Sequence, residues 1–91
     1  MDKAKTSKTI ELSKPLETEG GEITEVVLKK PTPPDMRGLQ LSLIEMQDYD
    51  AMLILIPRIS PLTERDIINL EIEDFTAISV ATLGFFVKMD S

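Results

Sequence analysis

The sequence contains no cysteine and no histidine, and each absence removes a block of chemistry. Without cysteine there is no disulfide framework, no thiolate nucleophile and no thiolate-held metal, which fits a reducing compartment. Without histidine the usual general base near neutral pH is missing. The Ser–His and Cys–His nucleophile pairs and the commonest zinc ligand go with it. Tryptophan is absent, and one tyrosine and three phenylalanines are the whole aromatic complement; that is too few for a base-stacking platform. Basic residues are scarce in the second part of the chain. Through Lys30 six lysines balance six acids, but from Pro31 onward only Arg37, Arg58, Arg65 and Lys88 stand against ten acids. The resulting net charge of −6 disfavours binding to a nucleic acid backbone.

No chemical motif fills the gap. "EGGE" lacks the lysine and the helix of a phosphate loop. "ERD" and "EIED" lack calcium-loop spacing and read as solvated helix starts. Paired carboxylates alone could serve glycoside hydrolysis, but nothing marks such a pair. The expectation is a protein that is not an enzyme and that holds no cofactor and no metal. Long apolar runs are missing as well. "MDKAKTSK" leads into no apolar signal segment. The apolar stretch of "AMLILIPRIS" is far shorter than the ~20 residues needed to cross a bilayer. Neither nucleic acid nor membrane is expected among the partners.

What is present is a chain of 91 residues, 42% hydrophobic and 29% charged. That composition specifies one folded domain with a modest core. Residues 1–7 read as a flexible tail and 8–91 as a single domain, with a hairpin over 8–30 and a helical part over 33–91. In "KTIELSKPLETEGGEITEVVLKK", Ile10 and Leu12 alternate with polar neighbours. "EITEVVL" is rich in β-branched residues, and Gly20–Gly21 supplies the turn. Pro15 ends the first strand or places it on an edge. Thr32, Pro33 and Asp35 form a helix start, which predicts a short helix from Pro33 to Leu41, weakened by Gly38.

The run Met52–Ile56 wound at helical pitch is apolar in nearly every direction, which predicts a helix buried on all sides. A buried strand is the rival, since short apolar runs do not separate the two; Asp48 or Asp50 as an N-cap favours the helix. Pro57 should end or kink it. Thr63 and Asp66 predict a short helix to Leu70, and a last helix should run from Ile72 to Lys88. On that helix the strip around Glu73, Asp74, Ala77, Ala81, Gly84 and Lys88 is expected to face water. The fold class is therefore α+β, an N-terminal β-hairpin followed by three to four short α-helices.

Two helices with such wide apolar coverage are a large load for a chain of this length. Either they form the core, or another chain covers part of them, a copy of itself or a client. Met36, Met46 and Met52 add adaptable surface, although methionine on an apolar helix is also ordinary core. The candidate partner or oligomer contacts are Met52, Ile54, Ile56 and Arg58 on the middle helix, and Ile78, Phe85 and Phe86 on the last. Arg58 has a plainer alternative, capping the preceding helix or pairing with a nearby acid.

The order "ITEVVLKKPTPPDMRGLQL", "LIEMQDYDAMLILIPRIS", "LTERDIINLEIEDF" and a closing "GFF" resembles the tail assembly chaperones of long-tailed bacteriophages. It is most similar to the protein E family of contractile-tailed phages, with Mu-like equivalents related. The resemblance is carried by Leu28–Pro31, Arg37–Gly38, Pro57–Ser60, Leu62–Thr63, Leu70, Asp74 and Phe85–Phe86, and it spans residues 8–88. A doubled proline after Thr32 and a short tail beyond the aromatics are small departures. The resemblance implies a holdase in the host cytoplasm. It would bind the tape measure protein and keep it soluble until tail tube subunits polymerise, and it would be absent from the mature virion. It also implies a longer form made by programmed frameshift, which would recruit tail tube protein; a run of uridines encoding Phe85–Phe86 is a place for the slippage. Homo-oligomerisation is expected. The competing functions are a structural minor tail or baseplate protein retained in the virion, and an acidic inhibitor that mimics DNA.

Overall fold

In the computed structural model, residues 7–86 are described; residues 1–6 of the tail expected over 1–7 and the expected helical turn over 87–88 lie outside them, and Ser7, expected in the tail, is instead the first residue of the first strand. Two antiparallel strands, β1 (Ser7–Thr18) and β2 (Gly21–Lys29), open the fold. Their alternation puts Val26 and Leu28 in the core and leaves Glu25, Val27 and Lys29 outside. The turn is closed by the Thr18 hydroxyl, which donates to the Gly21 carbonyl at 2.6 Å and accepts from the Gly20 N–H at 3.2 Å. Gly21 sits at φ +118°, a conformation that side chains with a Cβ rarely adopt.

Pro15 does not end the first strand. The register passes from Glu11↔Glu25 to Leu16↔Ile23, so five steps along β1 are matched by only two along β2. The surplus, with Pro15 inside it, forms a wide bulge at the sheet edge, where proline removes no ladder bond.

After the hairpin the single expected helix over 33–41 is replaced by two shorter pieces. A 3-10 turn covers Pro33–Met36, and α1 covers Leu41–Glu45. Gly38 at φ +81° cannot continue a right-handed helix, so it divides the segment where a simple weakening was expected. Next comes α2 (Tyr49–Ile59), capped by Asp48, whose carboxylate accepts from the Ala51 N–H at 3.0 Å. Pro57 does not terminate it. The helix continues to Ile59, and the Ser60 hydroxyl donates to the Ile56 carbonyl at 2.8 Å beyond the proline. The α3 helix (Glu64–Ile68) starts with the expected reciprocal cap. The Thr63 hydroxyl accepts from the Asp66 N–H at 3.1 Å, and the Asp66 carboxylate accepts from the Thr63 N–H at 3.0 Å.

The last helix, α4 (Ile72–Gly84), is shorter than expected. It closes with tighter bonds from the N–H groups of Phe85 and Phe86 to the Thr82 and Leu83 carbonyls, a common way to satisfy a helix end. Strand β1 holds it at both ends. Near its start, the Ser13 N–H and hydroxyl in the bulge donate to the Asp74 carboxylate at 2.8 and 2.9 Å. Near its finish, Lys8 Nζ donates to the Ala81 carbonyl at 2.8 Å and lies 4.4 Å from the centre of the Phe85 ring. A Cβ on Gly84 would fall on that ammonium group. One core joins the hairpin to the helices: Leu16, Val26 and Leu28 pack with Ile44, Met52, Leu55, Ile56, Ile67 and Ile78.

Candidate interaction surface

The α4 helix is rolled about its axis relative to the expectation from apolar count. Its buried face carries Asp74, Phe75, Ile78, Ser79 and Thr82. Three of those five are polar. Asp74 is only 4% exposed, against the expectation that it would face water. The physical reason is its pair of charge-assisted hydrogen bonds to Ser13, which make burial of the carboxylate tolerable. Thr82 turns its hydroxyl back onto the Ile78 carbonyl at 2.8 Å. The Ser79 hydroxyl is buried with no hydrogen-bond partner. Ala81 is half-buried, whereas Glu73, Ala77 and Gly84 are exposed as expected.

The consequence appears beside and opposite the buried face. Ile72 is 69% and Val80 53% exposed, and Leu83 is half-buried beside them. At about 100° per residue, positions 72, 76, 80 and 83 share one face. Ile72, Val80 and Leu83 thus form an apolar stripe, interrupted by the exposed Thr76, on the helix that buries three polar side chains.

The α2 helix shows a milder version. Ala51, Met52, Leu55, Ile56 and Ile59 are buried, but Tyr49 and Ile54 are each nearly half exposed, and Leu53 and Pro57 are half-buried. The helix is apolar all round, as read from the sequence, yet it is enclosed on one side only. Tyr49 reaches the Phe75 ring on α4 at a centroid distance of 5.1 Å.

The sequence-derived candidates therefore separate into groups. Met52, Ile56 and Ile78 lie wholly inside the core. Ile54 stands on the surface, and Phe85 and Phe86 are half-buried against the core. Arg58 is exposed and engages backbone: its Nη1 donates to the Asp35 carbonyl at 2.6 Å and the Arg37 carbonyl at 2.8 Å. It clamps the loop before α1 onto the end of α2. At that loop the Asp35 carboxylate accepts from the Thr32 N–H at 2.8 Å and the Thr32 hydroxyl at 3.1 Å. The backbone N–H of Thr32 holds the Asp35 carboxyl below the ordinary range. Desolvation opposes this as the second-largest effect, and the Thr32 hydroxyl, Lys29 and Arg58 add smaller lowering contributions.

A shallow cleft of about 380 Å³ opens beside β2, lined by Val27, Lys29, Arg58, Ile59, Ser60 and Pro61. Lys29 and Arg58–Ser60, far apart in the chain, line this cleft, and the hydrogen bond from Arg58 ties the Arg37 carbonyl to the same corner. Sequence reading missed both the cleft and the α4 stripe. The stripe had a signal in the helical recurrence of Ile72, Val80 and Leu83. The cleft had none, because it depends on where the hairpin packs. No helix among the described residues is long and apolar enough to cross a membrane.

The geometry defines an α+β unit with apolar side chains exposed on two helices, and its family defines the class. The family profile described as "Phage tail assembly chaperone proteins, E, or 41 or 14" matches residues 9–87. The chain belongs to this family of phage tail assembly chaperones. Among its relatives, tail assembly protein E of Escherichia phage P2 is 31% identical over 78 residues, which cover 84% of this chain and 86% of the relative. Tail assembly protein E' of the same phage is 31% identical over 80 residues, 86% of this chain but only 56% of the relative. The chain thus spans little more than half the length of E'. No solved structure matches the chain.

Proposed function

We propose that this tail assembly protein is a holdase for the tape measure protein of its phage. It binds the tape measure in the host cytoplasm, keeps it soluble until tail tube polymerisation, and leaves before the virion is complete. The observation that carries the reading is the outward apolar stripe of α4, Ile72 and Val80 above all. A holdase needs exposed apolar surface, and an ATP-independent one needs no reaction centre. The acids of the helical part keep the loaded complex soluble.

The existence of E and E' supports a second, extended form of this chain, made by frameshift and carrying a segment that recruits tail tube protein. The matches take in 86% and 84% of this chain, but they cover only 56% of E' against 86% of E. Tagged protein recovered from phage-producing cells should bring down the tape measure protein, and purified virions should lack the chain by mass spectrometry. Recovery of stoichiometric amounts from virions would instead indicate a structural tail protein.

A further inference from the structure

The hairpin has two edges, and they are not equivalent. The β1 edge is interrupted by the bulge between Glu11 and Leu16, with Pro15 inside it, a combination that blocks strand addition. The β2 edge runs through nine residues without proline or bulge and, among the described residues, pairs only with β1. An unpaired edge of this kind is a template for another strand. Its outer face presents Glu25, Val27 and Lys29, all exposed, with Val27 at 46%. The charges flanking Val27 are opposite in sign and equally spaced from it.

We propose that β2 pairs, edge to edge and antiparallel, with β2 of a second copy of this chain about a two-fold axis at Val27. In that register Val27 faces the second copy's Val27. Glu25 faces the second copy's Lys29, and the reverse pair forms on the other side of the axis. The same patch serves both partners, as a two-fold interface requires. A slip by one residue would move these side chains to opposite faces and lose the match.

Two further observations favour this occupant. Within the hairpin Glu25 lies directly opposite Glu11, a like-charge pair that costs stability; the incoming Lys29 would stand beside it. The cleft lined by Val27, Lys29 and Arg58 borders this same edge, so the added strand brings Glu25 of the second copy against both cations. The β2 pairing requires neither the tape measure protein nor an extended form of the chain.

The test combines a cross-link and a charge exchange. The chain lacks cysteine, so Val27→Cys introduces a single thiol. Directly opposed residues in an antiparallel pair lie about 4.5–5.5 Å apart between Cα atoms, within disulfide reach. Val27→Cys should form a covalent dimer under mild oxidation faster than Val80→Cys on the exposed face of α4. In sedimentation equilibrium, Glu25→Lys and Lys29→Glu should each weaken dimerisation roughly tenfold, because each places like charges at two symmetric positions. An equimolar mixture of the two variants should recover the wild-type constant, since both opposite pairs are restored in the mixed dimer. Circular dichroism would confirm that the variants fold. A wild-type chain that stays monomeric at concentrations on the order of 100 μM would overturn the proposal. So would a dimer insensitive to the charge variants, or cross-linking no faster at position 27 than at 80.

Discussion

At the scale of single residues, the fold depends on a carboxylate that sequence pattern alone would send to water. Asp74 is buried because Ser13 supplies both its N–H and its hydroxyl. Asp74→Ala should cost about 2–3 kcal/mol, leaving the Ser13 N–H without its acceptor, whereas Ser13→Ala should cost about 1 kcal/mol. Urea denaturation of both variants and the double variant should show strong coupling between the two positions. Ser79 presents the opposite case. Its buried hydroxyl has no partner, so Ser79→Ala should leave stability unchanged or raise it by about 1 kcal/mol.

Asp35 supplies a pH signature. Its folded-state pKa lies below the ordinary value, chiefly through the Thr32 N–H, so its contribution is fully present above the unfolded pKa of about 4. That contribution is lost as pH falls through the depressed folded value. Urea midpoints followed from pH 6 down to pH 2 should show that loss, and Asp35→Asn should remove this part of the acid dependence.

At the scale of elements, the two long helices show what could and could not be read in advance. The caps were legible: Asp48 and Thr63 each bond the N–H three residues on, a local geometry that sequence spacing specifies. The hairpin was legible too, from alternation and from Gly20–Gly21. The roll of α4 was not, because it is set by Ser13, a residue 61 positions away, whose position depends on the bulge. Nor was the run of α2 through Pro57, where tertiary packing of Ile56 and Ile59 overrides a local preference.

The same packing separates two isoleucines that look alike in "MLILI". Ile56 is fully buried and Ile54 is 45% exposed. Ile56→Asp should abolish folding or cost at least about 4 kcal/mol. Ile54→Asp should change monomer stability by less than about 1 kcal/mol, so any loss of assembly at position 54 reports a partner rather than the fold. Thermal melts of the two variants, read beside their association states, check both statements. Arg58→Ala should loosen the Pro33–Leu39 loop, seen as faster amide exchange there, at a cost of about 1–2 kcal/mol.

At the scale of the whole molecule, a small acidic domain buries polar groups on its last helix and shows apolar ones outside. That inversion makes little sense for an isolated chain, and it suits a protein whose work is to cover another. The family shows a role in tail assembly, and the α4 stripe supports the proposal that this role is to cover the tape measure protein. The most direct test is co-expression with the tape measure protein of the same phage, scoring its soluble fraction with this chain, without it, and with Ile72→Asp/Val80→Asp. The account predicts a tape measure that is soluble and co-eluting with the wild-type chain, and insoluble both alone and with the double variant. A tape measure equally soluble in all three cases, or insoluble in all three, would contradict it.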